Sequence, residues 1–146
     1  MLGKILIIED DANVSRIFQR VLLHAGYQAE TAANGIEGLA KVHSLNGTCS
    51  LILLDILMPT MGGIEFLQQI RKEGYETPVV VITQVDTSDL KGLDVFDIVP
   101  KPITKEQLLN TVARVDNLYK RLESEIDNTL AFLKHVLVNK RMEAVR

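Results

Sequence analysis

The sequence contains little of what marks an exported, membrane-bound or nucleic-acid-binding protein. Cys49 is the only cysteine among the 146 residues, which excludes an intrachain disulfide and favours a reducing compartment. The net charge of −3 provides no field that would attract nucleic acid or an anionic membrane. The first apolar stretch, residues 5–8, is too short for a signal peptide or a membrane span. We therefore expect a cytoplasmic chain without membrane or direct nucleic-acid contacts.

The chain instead shows a regular alternation of strand-like runs and amphipathic segments. Because 47% of its residues are hydrophobic, a chain of this length can fill one globular core. Strand-like runs occur at residues 4–8, 27–32, 50–55, 78–83 and 95–99. Segments with helical spacing of apolar residues lie between them, and Asn34 is a candidate cap for the second of these. This alternation predicts an α/β fold, a doubly wound parallel sheet with helices on both faces.

The C-terminal region has a different pattern. Residues 104–146 contain neither glycine nor proline, which predicts one extended helix. Steps of four and three separate its apolar positions, the spacing of a left-handed coiled coil. The positions are Leu108, Val112, Val115, Tyr119, Leu122, Ile126, Thr129, Leu133 and Val136. We expect the first half to pack on the sheet. The second half needs another helix or another domain to cover its apolar stripe, with a self-pairing coiled coil as the simplest partner, and the alternative is a helix that folds back on its own domain.

Reactive side chains follow four of the five predicted strands. Residues 9–11, Glu-Asp-Asp, follow the first strand, Asp55 ends the third, Thr83 ends the fourth, and Lys101 lies just beyond the fifth. In parallel sheets of this kind, functional groups collect at the carboxyl ends of the strands. Because clustered carboxylates repel one another, a hard divalent cation, Mg²⁺, is the natural partner for them.

This set of residues predicts phosphoryl chemistry. Asp55 would be the nucleophile, Lys101 would supply a positive charge, and the Thr83 hydroxyl would donate a hydrogen bond to a phosphoryl oxygen. Taken singly, each has a simpler interpretation: residues 9–11 as acids favoured at a helix N-terminus, Lys101 as a surface lysine, and Thr83 as a strand-end hydroxyl. Their shared edge of the sheet favours the combined site.

The motifs together resemble those of the response-regulator receiver domains of bacterial two-component systems. They are Ile-Leu-Ile-Ile-Glu-Asp-Asp at 5–11, Leu-Leu-Asp-Ile-Leu-Met-Pro at 53–59 with glycines at 62 and 63, Val-Ile-Thr at 81–83, and Lys-Pro at 101–102. Singly each motif is weak, but in this order they are highly specific. The resemblance covers residues 3 to about 118 and implies a flavodoxin-like five-stranded sheet in the order 2-1-3-4-5.

The resemblance also implies roles for the site residues. Asp55 is the phosphoacceptor, Asp10 binds Mg²⁺ directly, Glu9 binds it through water, and Asp55 and the backbone carbonyl of Leu57 complete the protein ligands. The phosphoryl donor is a histidine kinase or a phosphotransfer protein, or a small donor such as acetyl phosphate. The chain is then no enzyme apart from catalysing its own phosphorylation and slow dephosphorylation. Residues 1–118 form the receiver domain, and 119–146 form a helical extension, a coiled coil or linker.

Several positions depart from the pattern of the family. The residue after the switch hydroxyl is usually small, and Gln84 here can narrow access to Asp55. The aromatic switch position holds Ile98, and Phe96 is the candidate substitute, since strand alternation places both on one face. The stretch between Thr83 and Lys101 has room only for a stunted fourth helix. We therefore expect output, or homodimerisation, through the C-terminal helix.

Two other functions compete with an active receiver. An aspartate-nucleophile phosphatase requires a second acid two residues after the nucleophile, where this chain has Leu57. A pseudo-receiver scaffold that binds partners without phosphorylation is supported only by Gln84 and the short fourth helix. Phosphoryl uptake distinguishes the active receiver from the scaffold.

Overall fold

Five short strands form one parallel sheet in the computed structural model, which describes residues 2–145. The strands are β1 (Lys4–Ile8), β2 (Gln28–Ala32), β3 (Cys49–Leu54), β4 (Val79–Thr83) and β5 (Asp97–Pro100). Their order across the sheet is β2-β1-β3-β4-β5, so the predicted flavodoxin-like topology is confirmed. Met1, the first residue of the predicted receiver domain, and Arg146, the last residue of the predicted helical extension, lie outside the described residues.

Helices connect the strands, and α1 and α2 each begin at a side chain that caps the helix. They are α1 (Ala12–His24), α2 (Gly35–Leu45), α3 (Gly63–Lys72), a 3₁₀ helix (Thr87–Leu90) and α4 (Lys105–Val145). The Asp11 carboxylate accepts hydrogen bonds from two backbone N–H groups in the first turn of α1, and Asn34 accepts one from the N–H of Glu37. Both side chains satisfy backbone donors that a helix start leaves unpaired, so the predicted Asn34 cap is confirmed.

The sheet is covered on both faces. Alternate residues of β1, β3 and β4 pack against α1 and α4 on one side and against α2 and α3 on the other. Residues such as Ile5, Leu6, Leu53 and Leu54 have almost no exposed surface. Each buried aliphatic side chain of this size contributes about 1.5–3 kcal/mol through removal from water. The continuous apolar runs of the central strands follow from burial on both faces.

The connection into β5 differs from the expectation. Phe96 precedes the strand and packs against the core on the α1 and α4 side, whereas Ile98 packs against the opposite core. The expectation that these two residues share a face is wrong, because strand alternation does not extend back to Phe96. The Arg114 guanidinium of α4 lies 5.5 Å from the centre of the Phe96 ring and forms an ion pair with Asp97.

The predicted stunted fourth helix is confirmed. A 3₁₀ helix of four residues, capped by the carboxylate of Asp86, occupies the connection between β4 and β5. Leu90 is its one buried residue. A segment this short covers little of the sheet.

The helix α4 is continuous over 41 residues, about 60 Å. Its first turns are buried on the sheet, where Asp116 accepts a hydrogen bond from the backbone N–H of Leu2 and the Tyr119 hydroxyl donates one to the Ser50 carbonyl. From Lys120 onward every described side chain except that of Val136 is exposed. The alternative in which the helix folds back is therefore wrong. Among residues 2–145, no helix combines the length and apolarity needed to cross a membrane.

The Cys49 thiol should react slowly with alkylating reagents. Burial raises its pKa to about 11, so the neutral thiol dominates until the pH approaches that value. At pH 8 the thiolate fraction is then about one in a thousand, against about a quarter for an unperturbed thiol. We expect iodoacetamide to modify Cys49 about 250-fold more slowly in the folded protein than in the urea-unfolded protein at pH 8, with a rate that rises as pH rises. Equal modification rates for the folded and the urea-unfolded protein, measured by intact mass, would contradict a buried Cys49 thiol.

Candidate functional site

The carboxyl ends of the strands enclose a cleft of about 340 Å³. Ile8 pairs with Leu54 across β1 and β3, so the residues that follow them, Glu9 and Asp55, emerge at the same level. In the same way Thr83 pairs with Pro100, which places Lys101 next to the end of β4. The cleft is lined by Glu9, Asp10, Asp11, Val14, Asp55, Leu57, Gln84 and Lys101.

The three acids after β1 have three different environments. Glu9 is buried, and its backbone N–H donates to the Ala32 carbonyl at 3.0 Å. Asp10 is exposed at the rim of the cleft. The Asp11 carboxylate is occupied by the α1 cap, with its Oδ1 2.9 Å from the Asn13 nitrogen. Only Glu9 and Asp10 are thus placed to act with Asp55.

Backbone packing holds Asp55 in place. The residue is 7% exposed, and its backbone N–H donates to the Ile8 carbonyl at 3.0 Å. The first residue of α3, Gly63, donates to the Ile56 carbonyl, and a Cβ at that position would lie 2.3 Å from the Asp55 carbonyl oxygen. Any larger residue at 63 would displace this backbone, which explains a glycine there.

Lys101 bridges two of the carboxylates. Its Nζ lies 2.9 Å from Glu9 Oε2 and 3.4 Å from Asp55 Oδ2, while its backbone N–H donates to the Thr83 carbonyl. Burial raises the pKa of Glu9 and the nearby Asp55 charge adds to this, while Lys101 acts in the opposite direction. For Lys101, burial lowers the pKa, but Glu9 and Asp55 outweigh it and the net shift is upward. The lysine therefore stays charged and partly neutralises the cluster.

The acidic cluster has the composition of a site for a hard cation. Glu9, Asp10 and Asp55 each offer a carboxylate oxygen, and these oxygens lie within 4.8 Å of one another. Two of the three residues are buried, where uncompensated negative charge is costly. Oxygen ligands at this spacing suit Mg²⁺, which keeps several waters and needs few protein ligands.

The last residue of β4 and the residues that follow β4 and β3 lie at or near the mouth of the cleft. Thr83 is fully buried, and its Oγ1 accepts a hydrogen bond from the Val85 N–H at 3.3 Å. Gln84 is exposed and lines the cleft. The Leu57 side chain is 62% exposed at the same opening. The side chains of Leu57 and Val85 carry no hydrogen-bonding group.

Sequence reasoning brought the main site residues together but missed two features of the site. The capping role of Asp11 was available from its position directly before an amphipathic helix. The direct Lys101–Glu9 contact had no sequence signal, since it joins residues 92 positions apart. Phe96 and Ile98 are absent from the residues that line the cleft.

An apolar pocket of about 330 Å³ adjoins the cleft. It is lined by Val14, Ile17 and Phe18 of α1 and by Pro102 and Ile103 after β5, and it shares Gln84 and Lys101 with the cleft. Ile17 is 59% exposed, although the rest of the apolar face of α1 packs on the sheet. This pocket is therefore an apolar surface beside the cleft that contains Asp55.

Comparison with known proteins gives a consistent result. The family model described as "Response regulator receiver domain" matches residues 5–113. The chain is 34% identical over 150 residues to the uncharacterized transcriptional regulatory protein YkoG of Bacillus subtilis, and 36% identical over 141 residues to the response regulator ArlR of Staphylococcus saprophyticus. These matches cover 99% and 94% of this chain but only 64% and 60% of the two relatives.

Solved structures agree in fold. The receiver domain protein (CheY-like) of Methanospirillum hungatei matches 83% of this chain, with a TM-score of 0.72 and 28% identity, over 99% of its own length. The response regulator TrrA of Thermotoga maritima, solved in complex with Mg²⁺-BeF, matches 78% of this chain, with a TM-score of 0.70 and 30% identity, over 99% of its length. The site described above lies within the matched family region.

Proposed function

The chain belongs to the response regulator receiver domain family of two-component systems, and from this premise we propose that Asp55 accepts a phosphoryl group in a magnesium-dependent transfer. The observation that carries the proposal is the contact of Lys101 with Asp55 and Glu9 beside the oxygens of Asp10. A nucleophilic carboxylate, a cation-binding cluster and a fixed ammonium within one cleft are what phosphoryl transfer to an aspartate requires.

The transfer follows from the positions of these groups. A carboxylate oxygen of Asp55 forms a bond to phosphorus as the bond from phosphorus to the leaving group breaks, with histidine nitrogen or acetate departing. Asp10 would hold the ion directly, Glu9 through water, and the Leu57 carbonyl and Asp55 would complete the protein ligands. When bound, magnesium neutralises charge on the phosphoryl oxygens. Lys101 supplies the second positive charge from within the cleft.

Thr83 and Lys101 provide the switch. The Thr83 oxygen accepts from Val85 N–H, which leaves its O–H proton to be donated to a phosphoryl oxygen. That new bond would draw the β4–β5 connection toward Asp55. Ile98 occupies the usual aromatic position, and Phe96 lies against the opposite core, so the switch here works without an aromatic rotamer change.

The donor is a histidine kinase or a phosphotransfer protein. A partner that brings a phosphohistidine to Asp55 must contact the rim of the cleft, where the apolar pocket of α1 and residues 102–103 lies. Apolar surface beside the site lets the partner bind through burial while the charged groups carry out the chemistry. Gln84 lies in both the pocket and the cleft, and we expect it to influence access for small donors.

Phosphoryl uptake tests this function. We expect the chain, incubated with Mg²⁺ and acetyl phosphate, to gain one phosphoryl group by intact mass. Asp55→Ala removes the nucleophile, and EDTA removes the ion, so both should abolish the gain. Asp11→Ser is the matched control, because serine keeps the α1 cap and Asp11 is outside the metal cluster. Uptake by Asp55→Ala would contradict the assignment, and no uptake even from a kinase would favour the scaffold function.

The phosphorylated form should lose its phosphoryl group slowly. In receivers, the side chains two positions after the phosphoacceptor and after the switch hydroxyl help to position the hydrolytic water, and here they are Leu57 and Val85. Because neither can hydrogen-bond water, we expect lifetimes well beyond seconds, measured by intact mass after removal of the donor. Leu57→Asn should shorten the lifetime about tenfold or more. Leu57→Ala, which removes bulk without adding a polar group, should not, and a wild-type half-life of seconds would oppose this reasoning.

The outer part of α4 is the proposed dimer contact. Beyond Lys120 its apolar residues have no cover from the sheet, and Leu122, Ile126 and Leu133 repeat the coiled-coil spacing. Two copies that pair along this stripe would bury it, since an exposed apolar stripe of this length is costly.

Sedimentation of paired variants tests the dimer. Leu133→Lys places a charge within the stripe and should shift the chain to monomer. Val138→Lys is the matched control, since Val138 is comparably exposed but lies off the stripe, and the dimer should persist. A monomeric wild-type chain would contradict the proposed contact.

A further inference from the structure

The outer part of α4 carries its charges in separate blocks. Residues 123–127 contain three acids and no base, residues 128–133 contain no charge, and residues 134–141 contain three bases and no acid. All of these residues are exposed except Val136, which is half-buried. Arg121 precedes the acidic block and Glu143 follows the basic block, so it is the stretch between these two residues that has an acidic end near the receiver domain, an uncharged middle and a basic far end.

The apolar stripe runs through all three blocks. Ile126 lies in the acidic block and is 58% exposed, Leu133 closes the uncharged block at 49%, and Val136 lies in the basic block. With these residues in the seam of a coiled coil, Glu123 and Asp127 lie on the same flank as Lys134 and Arg141. The orientation of a partner helix decides which of these charges meet.

Parallel pairing is opposed by these charges. A parallel, in-register pair would place the two acidic blocks next to each other at one end and the two basic blocks next to each other at the other end, so like charges would repel at both ends. Antiparallel pairing instead places each acidic block against a basic block, and it centres the contact on the uncharged residues. We propose that two copies of this chain pair antiparallel through the outer part of α4, an inference that rests on the dimer proposed above.

The stripe allows more than one antiparallel register, and the charge blocks select between them. Each acidic block faces a basic block when Ile126 of one copy faces Val136 of the other and Leu133 faces Thr129, which centres the pair near residue 131. Asp127 then lies beside the partner's Lys134 on the shared flank. The two receiver domains lie at opposite ends of a helical rod about 40 Å long. Neither domain contacts the other, so each cleft stays open to a phosphoryl donor.

Cysteine cross-linking distinguishes the two orientations. Ile126→Cys and Val136→Cys are made separately in a chain that also carries Cys49→Ala, then mixed and oxidised. Antiparallel pairing predicts a covalent dimer containing one copy of each variant, because the two positions face each other. Either variant oxidised alone should give no covalent dimer, because its two cysteines, one in each copy, are then about 15 Å apart along the helix axis. Mass spectrometry of the cross-linked species identifies its two chains.

The other outcomes overturn the proposal in different ways. Cross-linking of each variant with itself, and none between the two, would show parallel pairing and leave the dimer and the Asp55 chemistry intact. No cross-linking with monomeric sedimentation would overturn the dimer as well, but not phosphoryl uptake, which is measured separately. As a second readout, high salt should weaken the wild-type dimer about fivefold, because it screens attractive pairs. Parallel pairing would be strengthened by salt.

Discussion

The contact of one ammonium with two buried carboxylates is the interaction on which this site depends. Glu9 and Asp55 leave neighbouring strands at the same level, so the sheet itself forces their charges together. Lys101 reduces that repulsion from the end of a third strand, without removing the capacity of the cluster for a cation. The topology that concentrates negative charge thus also supplies its partial neutralisation.

Much of this arrangement could be predicted from the sequence, and the reason is physical. Buried parallel strands are continuous apolar runs, and the polar residues at or just after the end of each run lie at the carboxyl edge of the sheet. The positions of residues 9, 55, 83 and 101 relative to these runs therefore predict that the four residues lie at the same edge. The side on which Phe96 packs could not be predicted, because it depends on where β5 begins. That point is set by tertiary contacts, a hydrogen bond from Phe96 N–H to the Val79 carbonyl and the Arg114 ring contact.

The helix α4 joins two environments, and the sequence pattern alone does not locate the boundary between them. The same four-and-three spacing runs from Leu108 to Val136, yet the structure buries the first part on the sheet and leaves the second part exposed. The change occurs near Tyr119, whose hydroxyl binds the start of β3 at Ser50. Periodicity reports which face of a helix is apolar, but the length of the sheet decides how much of that face the domain covers.

The continuity of α4 has a mechanical consequence. About 40 Å of helix extends beyond Tyr119 without a break, and its base is packed against the sheet that carries Asp55 at its opposite edge. A helix of this kind behaves as a lever arm. A tilt of about 5° at the base would displace the far end by about 3 Å, roughly half a helical turn. Small adjustments in core packing are therefore magnified at the tip into movements comparable to the size of a side chain.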